Sequence, residues 1–250
     1  MRVSIFNCVS TALDMLRFST DSIYYNAGTD DFDYLVVTWL MSNEVKEYLD
    51  TMPEIIQIPY ATRKDIGYVP NLRNMMNLGF TEGFKRNDYC GLVNTDMFFG
   101  KDWLKNLVKH ASENIIVNST HITPIKGRHV ITADLGIPIY ETFDFDKFKT
   151  IYYCICKDEI ITEEDRDGQW VNVATMPYLY HRKWWERCGP WELQVIEKHQ
   201  YPTPDRRFWQ RCSQAGAKFI MVRDSIVYHH EAVERKRKRP PGAEVLVSER

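Results

Sequence analysis

The chain has 250 residues, of which 44% are hydrophobic and 26% charged, with a formal net charge of -2 and a pI near 6.4. This composition supports a sizeable core and excludes a chain-wide basic surface for nucleic acid or anionic lipid. No run approaches the roughly 20 apolar residues of a membrane span, the apolar stretch after Met1-Arg2 ends too soon at Asn7 for a signal sequence, and the six cysteines form no CxxC pair. The expectation is a cytoplasmic protein in a reducing compartment.

Taken in order, Val3 to Val9 reads as a strand, and Ala12, Leu16, Ser19, Ile23 and Ala27 recur at helical spacing until Gly28. Tyr34 to Trp39 is a second strand, Asn43 caps a helix running to Leu49, and Glu54 to Ile58 is a third strand closed by Pro59. Strand and helix in alternation predict a mostly parallel sheet built from right-handed crossovers, although no GxGxxG marks a dinucleotide loop. Arg63 to Asn74 is a polar loop entering a helix that carries Met75, Met76, Leu78 and Phe80 and ends at Gly83. Its cations and helix N-terminal amides suit an anionic ligand, or are ordinary solvated charges.

Cys90 to Val93 has the apolar run of a strand buried on both faces, and a helix begins after Gly100 with Trp103, Leu104, Leu107, Val108 and Ala111 on one side. Asn94-Thr95-Asp96 therefore sits beyond the carboxyl end of a strand, where open α/β sheets bind ligands. A carboxamide and a carboxylate two positions apart suit a hard cation carrying a diphosphate; Asn and Asp are also common turn formers. Asn114 to Val117 supplies a further strand.

Between Gly127 and Gly168 the aromatic residues and the run from Ile151 to Cys156 indicate packed structure, whereas Glu163 to Gly168 reads as an exposed acidic loop. This region is read as an insertion on the acceptor side. Trp170 to Tyr180 resumes strand character, and Arg182 to Glu192 gives a short helix stopped by Gly189-Pro190. Thr203 as N-cap and Pro204 at the first helical position put Asp205 in the first turn of a helix that Gly216 ends. Asp205 is then either a proton acceptor or a favourable first-turn acid. Lys218 to Val222 and Ile226 to His230 read as two closing strands around an Asp224-Ser225 turn, with one of His229 and His230 facing a site or both held as structural histidines. Residues 235–250 open with Arg235-Lys236-Arg237-Lys238-Arg239, a basic tail read as disordered, either solvated or touching nucleic acid or an acidic surface.

Together these motifs resemble the GT-A-fold inverting glycosyltransferases, in particular the large family that includes bacterial rhamnosyl- and glucosyltransferases. Asn94-Thr95-Asp96 followed by Trp103-Leu104 resembles its strand-end N-x-D and W-L helix, and Tyr178 to Arg182 through Gly189-Pro190-Trp191-Glu192 resembles its basic residue and G-x-F-D/E. Asp205, Arg211 and Ala215-Gly216 keep the spacing of its E-D helix, and Val227-Tyr228-His229 matches its terminal V-x-H. The resemblance covers most of the chain outside 127–168. It implies a GT-A, Rossmann-like nucleotide-diphospho-sugar transferase fold over residues 1–234, with a nucleotide-binding half (1–118) and an acceptor-binding half (119–234).

The resemblance also implies roles. Asp96 and His229 would hold Mn2+ or Mg2+, Asn94 and Thr95 would face the donor, Asp205 would deprotonate the acceptor, and Trp191 and Glu192 would shape the acceptor or sugar pocket. Arg73-Asn74 resembles the family's R-N pair on the nucleotide side. The family's P-x-Y/F-N after the first strand is replaced by Cys8-Val9-Ser10-Thr11 and its D-D-G-S after the second by Thr38-Trp39-Leu40-Met41-Ser42, so that Cys8, Ser10 and Thr38 occupy nucleotide-side positions and the aspartate that reads uracil is absent. Pro204 stands for the Glu of the E-D motif and Arg207 for its second Asp. The implied partners are a nucleoside-diphosphate sugar, with a hexosyl group favoured, and a hydroxyl-bearing acceptor: a glycan, a small molecule or a modified nucleic acid. The rival readings are an inactive sugar- or nucleic-acid-binding protein of this fold and a nucleotidyltransferase, although the latter's Gly-rich G-T-R loop is absent.

Overall fold

The computed structural model describes residues 1–9, 12–63, 65, 68–125, 130–157, 162–164, 177–192 and 204–230. Ser10, the Thr203 cap and the basic tail therefore lie outside the described residues. In chain order the elements are β1 (Val3–Val9), α1 (Leu13–Asn26), β2 (Phe32–Thr38), α2 (Asn43–Asp50), β3 (Ile56–Pro59), α3 (Tyr68–Arg86), β4 (Tyr89–Val93), β5 (Met97–Phe99) and α4 (Trp103–His110). They continue as β6 (Ile115–Thr123), β7 (Val130–Thr132), α5 (Phe145–Cys156), β8 (Thr162–Glu164), β9 (Tyr178–His181), α6 (Arg182–Cys188), α7 (Pro204–Gln214) and β10 (Lys218–His229).

One sheet runs through the chain in the order β3-β2-β1-β4-β9-β6-β10-β5, with β7 on β6 and β8 on β10. β1 to β4 are mutually parallel, as are β6 and β10. β9 is wedged antiparallel between β4 and β6, and β5 lies antiparallel on the end of β10. The α/β sheet that the sequence predicts as mostly parallel is therefore present, with antiparallel strands in its second half.

Period-two alternation sorts the strand residues onto two covered faces. Val3, Ile5 and Val9 of β1 pack with Leu16, Val45, Trp103 and Leu107 from α1, α2 and α4. Phe6 of β1 and Leu35 and Val37 of β2 pack on the other face with Met75 and Phe80 of α3 and Phe208 and Trp209 of α7. α3 lies close on β1 because position 79 is glycine; a Cβ there would sit 2.2 Å from the Phe6 ring. A third cluster joins α5 to the end of β10 through Phe143, Phe148, Ile226 and Tyr228.

Several local expectations need correction. The cap of α2 is Ser42, whose Oγ accepts from the Val45 amide at 3.3 Å, rather than Asn43. α3 passes through Gly83 to Arg86, because Gly83 faces Cys90 and Ser4 closely enough to be needed for packing rather than for termination. Met97–Phe99, between the predicted strand and helix and assigned to neither, is a strand. Part of the predicted acidic loop, Glu163-Glu164, pairs with β10. The Asp224-Ser225 turn is an irregularity within a single strand, not a reversal between two.

Candidate functional site

The carboxyl ends of β1, β2, β3, β4, β6 and β10 share one edge of the sheet, as their parallel pairing and the double antiparallel step through β9 require. Asn94 to Asp96 leave β4 at this edge, and β10 reaches it at His229. The antiparallel pairing of β5 with β10 sets Met97 opposite His229, and the His230 amide donates to the Asp96 carbonyl at 3.0 Å.

That pairing brings chemistry together. His229 Nε2 lies 3.2 Å from Asp96 Oδ1 and 3.5 Å from Asn94 Nδ2. Asp96 and Thr95 are buried. The His121 ring, on neighbouring β6, stands 6.3 Å from the His229 ring. Burial, aided by the His229 charge, pushes the His121 imidazole down to about 3, and its Nε2 has no hydrogen-bond partner. His121 therefore remains neutral at physiological pH. The sequence reading passed over this residue because a lone histidine in an apolar strand carries no signal of its own.

A hard divalent cation fits the pair formed by Asp96 and His229. A carboxylate oxygen and an imidazole nitrogen already converge, and the Asn94 carboxamide adjoins them. Among the described residues no group of three His, Cys, Asp or Glu side chains forms a cage. Two protein ligands with the remaining positions left for phosphate oxygens and water is the pattern of a cation carried by a nucleotide.

Further predicted residues lie on α3 and α7. Asp205 lies in the first turn of α7. Arg73 lies in the early part of α3, after the carboxyl end of β3. Burial lowers the Arg73 guanidinium from its ordinary value, and the nearby Asp205 carboxylate is the first charge acting against that. Its Nη1 donates to the Glu192 carbonyl at 3.5 Å. Asn74 adjoins Tyr60, in a loop anchored by buried Asn71, whose Oδ1 accepts from Tyr60 Oη at 2.7 Å and from the Arg63 amide at 3.0 Å.

Glu192 and Trp191 turn out to be tied into the framework. The Trp191 ring is buried 5.6 Å from the Phe80 ring, and its main chain is held at both polar atoms by the Asn77 side chain, at 3.0 Å and 2.9 Å. Glu192 accepts from Arg207 and Arg211, each at 2.8 Å. Cys8 and Thr38 lie at neighbouring strand ends but on opposite faces, Cys8 with the α3 cluster and Thr38 with its hydroxyl 3.5 Å from the Ile58 carbonyl.

No protein-family model matches the chain, and no curated protein matches it in sequence. Solved structures do match. S. aureus TarS (1-349) superposes with a TM-score of 0.63 at 10% identity, covering 93% of this chain and 61% of that one. GalNAc-T7, crystallised with UDP, GalNAc and Mn2+, gives 0.65 at 13% identity over 96% of this chain and 45% of its own. The mannosyltransferase PcManGT from Pyrobaculum calidifontis, in complex with GDP-Man and Mn2+, gives 0.56 at 13% identity over 91% and 56%. This chain thus spans between 45% and 61% of the length of these three relatives in fold. Among the described residues no helix is long and apolar enough to cross a membrane.

Proposed function

From the GT-A fold that these likenesses establish, we propose that the chain is a metal-dependent glycosyltransferase. It moves a sugar, most simply a hexose, from a nucleoside-diphosphate donor to an acceptor hydroxyl with inversion at the anomeric carbon. The observation that carries this reading is the meeting of Asp96 and His229 at 3.2 Å, just beyond the carboxyl end of β4.

In this reading Asp96 and His229 hold Mn2+ or Mg2+, which when bound neutralises charge on the departing diphosphate. Asn94 and Thr95 orient the donor, and Arg73 and Asn74 lie on its nucleotide side. Asp205 takes the proton from the acceptor hydroxyl as that oxygen forms its bond to the anomeric carbon. The bond from that carbon to the phosphate oxygen breaks, and its electron pair leaves with the nucleoside diphosphate. Substitution from the face opposite the leaving group inverts the configuration.

The neighbours' printed ligands, UDP with Mn2+ and GDP-Man with Mn2+, define the donors to try. Purified protein incubated with UDP-glucose, UDP-N-acetylgalactosamine and GDP-mannose should release nucleoside diphosphate slowly when Mn2+ is present and not when it is chelated. Absence of both release and Mn2+-dependent nucleotide binding across that panel would reject the transferase in favour of a non-catalytic binder.

A further inference from the structure

The turn after α6 is fastened from two sides. On the α3 side, Asn77 binds the amide and carbonyl of Trp191, and Arg73, one helical turn earlier on the same face, reaches the Glu192 carbonyl. On the α7 side, Arg211 donates through Nε to the Cys188 carbonyl at 2.9 Å, through Nη2 to the Pro190 carbonyl at 3.2 Å and through Nη1 to Glu192 Oε1 at 2.8 Å. Arg207, four residues before Arg211, takes the other oxygen, Glu192 Oε2, at 2.8 Å. Gly189 permits the turn, since its φ of 75° is in the left-handed region that favours glycine.

Both oxygens of Glu192 are therefore committed to two guanidinium groups on one face of α7. Asp205 lies two residues ahead of the first of them. Partly exposed ion pairs of this kind add little to global stability, so their effect falls on where the start of α7 sits, not on whether the chain folds. Misplacement of a reacting group by an ångström costs as much as about a hundredfold in rate. We infer that Glu192 is a positioning residue: by joining Arg207 and Arg211 to the turn at 188–192, it fixes the first turn of α7 and with it Asp205. This inference rests on the proposed transferase reading, and it replaces a sugar-contacting role for Glu192 with a mechanical one.

Hydrolysis of the donor separates the two roles, because water needs no acceptor pocket but still needs its proton removed. The test uses the full chain with the same three donors and Mn2+, following nucleoside diphosphate release for wild type, Glu192→Gln, Arg211→Gln and the double variant. The expected result is a fall in kcat of about 10- to 100-fold for Glu192→Gln, with KM for the donor within about twofold because the donor-side residues are untouched. The double variant should be no slower than the slower single one, since both substitutions open the same fastening. Arg207→Gln, which leaves the Arg211 contacts in place, should show a smaller fall and serves if Glu192→Gln does not fold. Hydrolysis at the wild-type rate in any folded Glu192 or Arg207 variant would overturn the inference while leaving the transferase reading intact. A wild-type protein that hydrolyses none of the donors would overturn that reading and the inference with it.

Discussion

Replacing Asp96 by Ala tests the centre of the site directly. The substitution removes the carboxylate 3.2 Å from His229 Nε2 but keeps the Asp96 carbonyl that accepts from the His230 amide, so the junction of β5 and β10 retains its main-chain bond. His229 then retains Asn94 Nδ2 at 3.5 Å. The assay is thermal unfolding with UDP or GDP, with and without Mn2+. A ligand at about a hundred times its Kd stabilises the native state by about 2.7 kcal/mol, and for a chain of this size each kcal/mol moves Tm by roughly 2–4 °C. The wild type should therefore rise by about 5–11 °C with one of the nucleotides in the presence of Mn2+. If losing the carboxylate weakens binding about a hundredfold, the remaining stabilisation is about 0.4 kcal/mol and the shift falls to roughly 1–2 °C. A full Mn2+-dependent shift in Asp96→Ala would refute the assignment of this carboxylate to the metal.

Asp205→Asn should bind nucleotide and Mn2+ like the wild type and hydrolyse donor about 10²- to 10⁴-fold more slowly; unchanged turnover would remove Asp205 from the mechanism. Gly79→Ala should destabilise the fold by about 1–3 kcal/mol, because the new Cβ would meet the Phe6 ring at 2.2 Å, and a denaturant midpoint equal to wild type would contradict the packing. His121 supplies a pH prediction. Its folded value is pushed down to about 3 by burial, with the His229 charge second, so between roughly pH 6.5 and 3 the unfolded chain binds a proton that the folded chain does not. This contribution is complete above the unfolded value and is lost as pH falls, at a limiting slope of about 1.4 kcal/mol per pH unit. Urea titrations at pH 7, 5.5 and 4.5 should show a shallower loss in His121→Gln, and identical slopes in the two proteins would count against a buried neutral imidazole.

The parts of the molecule that were legible in the sequence are those where a short-range pattern and the long-range structure agree. Val3–Val9 is a strand because its alternate residues feed two different covered faces, and the helix at Asp205 starts where Pro204 and its neighbours indicate. The N-x-D tripeptide lies at a strand end as its apolar run implied. What could not be read is pairing between distant segments. Nothing local in Met97-Phe98-Phe99 announces a strand; these residues become one because Val227 to His229 offer an antiparallel partner. Likewise nothing local in the sequence shows that α7 brings Arg207 and Arg211 against Glu192. Arg207, which departs from the family's second Asp, supplies half of that fastening.

The irregularity in β10 shows why the misread turn matters for the site. Val222 pairs with Ser119 and Ile226 with the next residue, Thr120, so three residues of β10 are accommodated opposite none of β6. Asp224-Ser225 has the chemistry of a turn, but here the Asp224 carbonyl and the Ser225 hydroxyl find partners across the structure. The carbonyls of Val222, Asp224 and Ile226 accept from Thr120 Oγ1, Asn106 Nδ2 and the Gly100 amide at 3.2, 2.8 and 2.8 Å. Buried Ser225 donates to the Trp103 carbonyl and meets Ser119 Oγ, both at 2.8 Å. With those partners the chain can continue in the same direction instead of reversing. An odd number of extra residues also reverses which side chains face which side of the sheet. Before the irregularity it is Val222 that shares a face with Ser119; after it, Val227 shares that face with His121, and His229, two residues on, follows. Were the three residues paired regularly with β6 instead of left out of the ladder, the same strand would present His229 to the opposite face, away from His121. The facing of His229 thus depends on this irregularity, held in part by Ser225 of the strand and Asn106 of α4, and a candidate metal ligand is aimed by a defect in the ladder that carries it.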